Sequence, residues 1–321
     1  MAECHVGARL HGVDVILVVL GVVGLYVGGE LLVRNASRLA GALGVAPLVI
    51  GLTVVAFGTS APELAATLVA ALRGAPSLAV GNVVGSNIAN IGLILGLMAL
   101  VYPLATGASF VRREVPFLVG VTVLAVVLFA DGRLGWIEGS VLLLALVAFL
   151  ALAFRTPAAA VGDVSVDVGE RSRTGAIGAL ALALVGIAVL VGAAHALVTG
   201  AVSLAEALGV SERVIGLTMV AVGTSLPELA SSLVAVLRRE ADLILGNIIG
   251  SNVFNLAFVL GLAAVVHPIE VDAAQLRLDL LAMSVFTLVM VPIVVTGLRV
   301  GRREGAVLLV GYLAYVGWLF G

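Results

Sequence analysis

Residues 56–68 read AFGTSAPELAATL, and residues 221–233 read AVGTSLPELASSL. Each phrase lies inside a long apolar run and places a glutamate directly after a proline: Glu63 after Pro62, and Glu228 after Pro227. Carboxylates are costly at such a depth, and ionisable groups retained there usually mark ion pathways. The two phrases are the centre of a longer match. From Leu32 to Leu97 the chain aligns without a gap onto Leu197 to Leu262, at a constant offset of 165 positions. A gapless match of this length signals internal duplication.

Composition sets the solvent. Of 321 residues, 62% are hydrophobic and 11% charged, too few polar side chains to cover a soluble globule of this size. The chain therefore reads as an integral membrane protein. A formal charge of −2 and the lack of a basic tract exclude a nucleic-acid partner. A single cysteine, Cys4, permits neither an intramolecular disulfide nor a cysteine-based metal site. The N-terminal apolar stretch lacks a basic n-region and outruns a signal peptide, so it reads as the first membrane helix. Asn35 to Ser37 fits a glycosylation triplet, a pattern too short to carry weight.

A helix needs about 20 apolar residues to cross the hydrocarbon core. Ten segments qualify, near 13–33, 46–72, 78–101, 115–130, 136–154, 176–199, 214–237, 243–266, 278–296 and 306–320. The expected fold is an all-α polytopic membrane protein with ten transmembrane helices, of which the second and seventh are broken. Residues 1–154 form a first five-helix repeat, 155–174 a polar linker and 175–321 a second repeat. Because five is odd, the second repeat enters the membrane from the opposite side, giving an inverted repeat. Arginine placement orients it. The loops on one side hold Arg34, Arg38, Arg112, Arg113, Arg155, Arg171, Arg173, Arg238, Arg239, Arg299, Arg302 and Arg303. The other side holds only Arg9, Arg73, Arg133, Arg213 and Arg277. Positive charge concentrates inside, so both termini are expected outside and the linker in the cytoplasm.

The repeated phrase supplies the chemistry. Proline lacks an N–H and displaces the carbonyl four residues back, so Pro62 frees that of Gly58 and Pro227 that of Gly223. The carbonyls of Ala56, Thr59, Ala221 and Thr224 are expected to be exposed by the same unwinding. In hydrocarbon such groups must be buried in protein or line a polar cavity. Thr59 and Glu63 lie four apart, as do Thr224 and Glu228, so each pair shares a helix face. In the next span of each half, Ser86 and Asn90, and Ser251 and Asn255, repeat that spacing, with Gly81, Gly85, Gly246 and Gly250 allowing close helix approach. The result is a pocket of hard oxygen ligands with two negative charges. Such a set suits calcium, with sodium fitting the surrounding serine and asparagine oxygens, whereas zinc or copper would want histidine or cysteine.

Other polar residues read as structural. Asn82 and Asn247 are expected to tie down the helix breaks, outside the site. Glu30 aligns with His195, and both reach the interface; Asp14, Asp131, Glu138 and Asp279 fall at helix ends. Tyr315 and Trp318 read as interfacial anchors.

The phrases GTSAPELAATLVAALRG with GNVVGSNIANIGLILGL, and GTSLPELASSLVAVLRR with GNIIGSNVFNLAFVLGL, closely resemble the two alpha-repeats of the calcium/cation antiporter superfamily. The chain resembles its prokaryotic sodium/calcium exchangers over nearly its whole length. The resemblance implies sodium-driven calcium exchange by alternating access in the plasma membrane, with the first and sixth helices sliding across the rest. It implies calcium ligation by Glu63, Glu228, Thr59 and Thr224. It implies sodium ligation by Ala56, Ser60, Ser86, Ala221, Ser225 and Ser251, with Asn90 and Asn255 flanking a central position. Potassium-dependent relatives carry aspartate where this chain has Asn255, so no potassium requirement is expected. Proton-driven calcium exchange on the same fold is the alternative, and a passive cation channel a third reading. No nucleophile and base constellation or phosphate-binding loop suggests an enzyme. No cofactor is expected; the partners are the transported Ca2+ and Na+ and the lipid bilayer.

Overall fold

Backbone in hydrocarbon has no water to bond, so long apolar runs satisfy their own N–H and C=O groups as helices. The computed structural model describes residues 12–154, 173–208, 221–271 and 273–320, nearly all of them helical. The first half comprises α1 (Gly12–Leu43), α2 (Pro47–Thr59), α3 (Ala61–Leu72), α4 (Pro76–Val101), β1 (Leu104–Ala105), α5 (Ala108–Leu128), β2 (Arg133–Leu134) and α6 (Trp136–Phe154). The second comprises α7 (Arg173–Ala207), α8 (Ala221–Thr224), α9 (Leu226–Leu237), α10 (Ala241–Val266), β3 (Ile269–Glu270), α11 (Ala273–Gly297), β4 (Arg299–Val300) and α12 (Arg302–Phe320). Most of the expected linker, the start of the expected seventh span, Cys4, Arg9, Arg155, Arg171 and Arg213 lie outside the described residues.

Among the described residues, α1, α4, α6, α7, α10 and α11 are long and apolar enough to cross a membrane. The pair α2 and α3, bent by 43° at Ser60, makes a seventh candidate. Helix α5 begins earlier than its apolar run, taking Arg112, Arg113 and Glu114 into its N-terminal part; α12 likewise starts with Arg302, Arg303 and Glu304. The duplication is visible in the element bounds. Shifted by 165 positions, α3 falls on α9, α4 on α10 and β1 on β3, residue for residue.

Burial separates inner from outer helices. In α4 and α10, 78% and 83% of the most apolar window is buried, against 22% to 33% in α1, α6, α7 and α11. Hence α4 and α10 form the centre and the others face lipid. Helices α1 and α7, 32 and 35 residues long, pack antiparallel along their length. At about 1.5 Å per residue each is close to 50 Å, far longer than the roughly 30 Å hydrocarbon core. Their contact is backbone-close: a Cβ at Gly186 would sit 2.6 Å from the Leu32 nitrogen.

Two short antiparallel ribbons join the halves. Leu104 pairs with Val300 and Ala105 with Arg299; Arg133 pairs with Glu270 and Leu134 with Ile269. Each ribbon connects loops expected on the same side of the membrane. On the second ribbon an exposed Arg133–Glu270 ion pair adds little. At the other end of the molecule, Glu30 of α1 pairs with Arg238 and Ser37 donates to Glu240 at 3.1 Å.

Candidate functional site

Pro62 and Pro227 stand in the first turn of α3 and α9, where a missing N–H removes no helical bond. Each helical run therefore stops and restarts at one serine. Ser60 has φ −81°, ψ 4° and Ser225 φ −89°, ψ 6°, so the two breaks share one geometry. Three residues beyond each break, Glu63 and Glu228 are 0% and 2% exposed.

The breaks are reciprocal. Ser225, from the second half, donates to Glu63 Oε1 at 3.3 Å; Ser60, from the first, donates to Glu228 Oε1 at 3.4 Å. Ser86 of α4 also donates to Glu63 Oε1, at 3.5 Å, and lies 3.3 Å from Ser225 Oγ. On the other side, Thr59 Oγ1 lies 3.5 Å from Ser251 Oγ of α10. The structure thus brings Glu63, Glu228, Thr59, Ser60, Ser86, Ser225 and Ser251 into one buried polar network.

The remaining expected residues surround it differently. Thr224 donates to Asn82 Oδ1 at 3.3 Å. The Ala56 carbonyl is not released by the break: it accepts the Ser60 amide at 3.0 Å, with the Thr59 hydroxyl at 3.5 Å. Ala221 opens α8. Asn90 and Asn255 are buried, and among the described residues neither side-chain oxygen nor nitrogen of either has a hydrogen-bond partner. The same holds for Glu63 Oε2 and Glu228 Oε2.

Two features escaped sequence reasoning. Both inner helices loosen into π turns, at Asn90–Leu95 in α4 and Phe254–Leu260 in α10, so the two asparagines sit where helical pitch changes. A third π turn, Gly51–Val55, precedes the first break. Such turns recur at functional sites, but here no proline announces them. The second feature is how deeply Asn82 and Asn247 enter the network. Asn82 Nδ2 donates to the Glu63 carbonyl at 3.1 Å and Thr67 Oγ1 at 2.9 Å. Asn247 bonds Thr59, Ser231, Ser232 and Ser251. From sequence they are expected to tie down the helix breaks outside the site; here each also bonds hydroxyls beside the breaks, Asn82 that of Thr224 and Asn247 those of Thr59 and Ser251.

Close packing puts α10 beside the first break. A Cβ at Gly246 would lie 2.6 Å from the Leu48 carbonyl oxygen, and one at Gly250 2.6 Å from the Ala56 Cβ. Among the described residues no three His, Cys, Asp or Glu side chains cluster. A cation here would depend on hydroxyl, amide and carbonyl oxygens besides the two carboxylates.

Comparison with known proteins agrees with this geometry. A family model described as sodium/calcium exchanger protein matches residues 13–155 and 178–321. CaxA of Alkalimonas amylolytica is 39% identical over 318 residues, covering 96% of this chain and 99% of its own. The sodium/calcium exchanger MaX1 of Methanosarcina acetivorans is 34% identical over 348 residues, covering 96% and 99%. Among solved structures, the sodium-calcium exchanger NCX_Mj superposes with a TM-score of 0.84 at 30% identity, covering 95% of this chain and 98% of that one. Matched in both halves and over nearly the full length of its relatives, the chain belongs to the sodium/calcium exchanger protein family.

Proposed function

We propose that the chain is a secondary active antiporter exchanging Na+ for Ca2+ by alternating access. Membership of an exchanger family makes cation transport, rather than a covalent reaction, the activity to be explained. The supporting observation is the spacing of the buried oxygens. Good O–H···O bonds cluster near about 2.7–2.8 Å. Here the hydroxyl and carboxylate oxygens stand 3.3, 3.3, 3.4, 3.5 and 3.5 Å apart. Those are poor hydrogen bonds but good edges of a coordination shell: an octahedron with metal–oxygen distances of about 2.4 Å has edges of about 3.4 Å. The Oε2 atoms of Glu63 and Glu228, without a hydrogen-bond partner among the described residues, add two charged ligands.

In this reading Glu63, Glu228, Thr59 and Thr224 hold calcium. Ala56, Ser60, Ser86, Ala221, Ser225 and Ser251 serve sodium, and Asn90 and Asn255 line the position between. One divalent ion neutralises the two carboxylates, and sodium ions can do so in turn. An unfilled pocket keeps two like charges in a low-dielectric interior, where water screens neither of them. Sliding that charge past the apolar barrier is disfavoured, so passage requires a cation of one kind or the other. The two repeats, 1–154 and 175–321, are proposed as oppositely oriented five-helix units, with the termini outside and the 155–174 linker in the cytoplasm. The matching element bounds and the ribbons that join like-sided loops support this arrangement.

Proton-driven calcium exchange is the second reading, favoured by the same Oε2 atoms, each able to carry a proton. Calcium uptake into proteoliposomes separates the two. Uptake driven by an outward sodium gradient is expected; uptake driven only by a pH gradient would replace sodium by protons, and uptake without any counter-gradient would make the protein a channel.

A further inference from the structure

A cation needs oxygen lone pairs, so a hydroxyl ligand must send its proton elsewhere before the ion arrives. In the second half of the molecule the destination is one amide. Thr59 Oγ1 donates to Asn247 Oδ1 at 3.2 Å, closer than its alternatives at 3.5 Å, the Ala56 carbonyl and Ser251 Oγ. Ser251 Oγ donates to the same Oδ1 at 3.4 Å. One side-chain carbonyl is therefore the nearest acceptor described for two hydroxyls from different halves.

The amide itself is held in that orientation. Ser231 gives its proton to the Glu228 carbonyl at 3.1 Å, which leaves its lone pairs for Asn247 Nδ2 at 3.3 Å. Ser232 accepts from the same nitrogen at 3.3 Å. A flipped amide would set its oxygen against Ser231, whose proton is already committed to the Glu228 carbonyl, so the orientation found satisfies that end of the amide better. All five side chains are buried.

The first half is wired otherwise. Asn82 Oδ1 takes the Thr224 proton at 3.3 Å, but Ser86, the counterpart of Ser251, points its hydroxyl at Glu63 Oε1 at 3.5 Å. A cation approaching Ser86 must first turn that proton away from the carboxylate. One approaching Ser251 finds the oxygen already exposed as an acceptor.

We propose that Asn247 is a positioning residue that presets Thr59 and Ser251 as cation acceptors by taking both hydroxyl protons, with no equivalent arrangement at Ser86. The proposal rests on the reading of this network as a cation site. Its test is a double-mutant cycle on the purified full chain, with half-saturating Na+ and Ca2+ measured by thermal shift in detergent and by exchange in proteoliposomes. Asn247→Leu is expected to raise half-saturating Na+ about tenfold while maximal exchange stays within about threefold. In a Thr59→Val/Ser251→Ala background the same substitution should add no more than about twofold, because its partners are gone. Additive effects, or an unchanged affinity in Asn247→Leu, would overturn the proposal. Should the leucine variant not fold, Asn247→Asp decides: it keeps an acceptor for both hydroxyls and adds a charge that attracts cations, so no rise in half-saturating Na+ is expected. A loss as large as that of Thr59→Val/Ser251→Ala would overturn it. Absence of any cation response in the unmodified protein would instead remove the site reading.

Discussion

Glu63 and Glu228 each accept a serine hydroxyl on one carboxylate oxygen, and among the described residues the other has no hydrogen-bond partner. Replacing either by glutamine preserves shape and removes the charge that the proposed cation would meet. Glu63→Gln and Glu228→Gln are each expected to cut calcium exchange by more than about a hundredfold, the scale of losing a buried charge partner. The melting temperature in cation-free detergent should hold, and the upward shift caused by added Ca2+ should vanish. Asn255 carries the second residue-level expectation. As an amide it brings no third charge, so exchange should be the same with potassium or choline as the inert cation; a potassium requirement would contradict it. The glutamates, serines and threonines of this network were legible because depth, duplication and four-residue spacing all select them. Asn247 was not, since nothing local shows which hydroxyls a buried asparagine will meet. Its partners Thr59 and Ser231 lie 188 and 16 positions away.

At the scale of elements, the site exists because α10 lies against α2 at backbone distance. Gly246 leaves no room for even one methyl group, with the Leu48 carbonyl oxygen 2.6 Å from where its Cβ would be. Gly246→Ala should therefore push the helices apart and destabilise the protein by roughly 1–3 kcal/mol, seen as a lower melting temperature in detergent. Calcium affinity should fall with it, because Asn247 and Ser251 ride on the same helix. Apolar runs revealed the helices readily, and Pro62 and Pro227 revealed the breaks. The π turns were hidden: Asn90–Leu95 and Phe254–Leu260 contain neither proline nor any residue whose backbone preference demands a wider turn. Each begins at or beside a buried asparagine, Asn90 or Asn255, and carries no local signature. The early start of α5 was likewise hidden. Arg113 is drawn into the helix, where its guanidinium donates to the Leu152 carbonyl at the end of α6, at 2.7 Å.

For the whole molecule, duplication was the most legible property, since a constant offset needs no structure to be seen. How the copies join was not, because two-residue strands such as Leu104–Ala105 and Ile269–Glu270 are too short for any alternation to show. The orientation proposed from arginine counts is open to direct measurement. In a Cys4→Ser background, a cysteine at position 73 should react with an impermeant thiol reagent from outside, and one at position 112 only after the membrane is opened. Reversed labelling would invert the topology. The ribbons carry a different consequence. Both pair residues well over a hundred positions apart, Leu104 with Val300 and Arg133 with Glu270, and the serine contacts at the two breaks also cross from half to half. Covalent continuity through the linker should then be dispensable once the protein has assembled. A chain nicked there, or expressed as two fragments from separate genes, should co-purify as one particle and still carry calcium, because what binds the fragments is stitched at both rims and knotted at the centre.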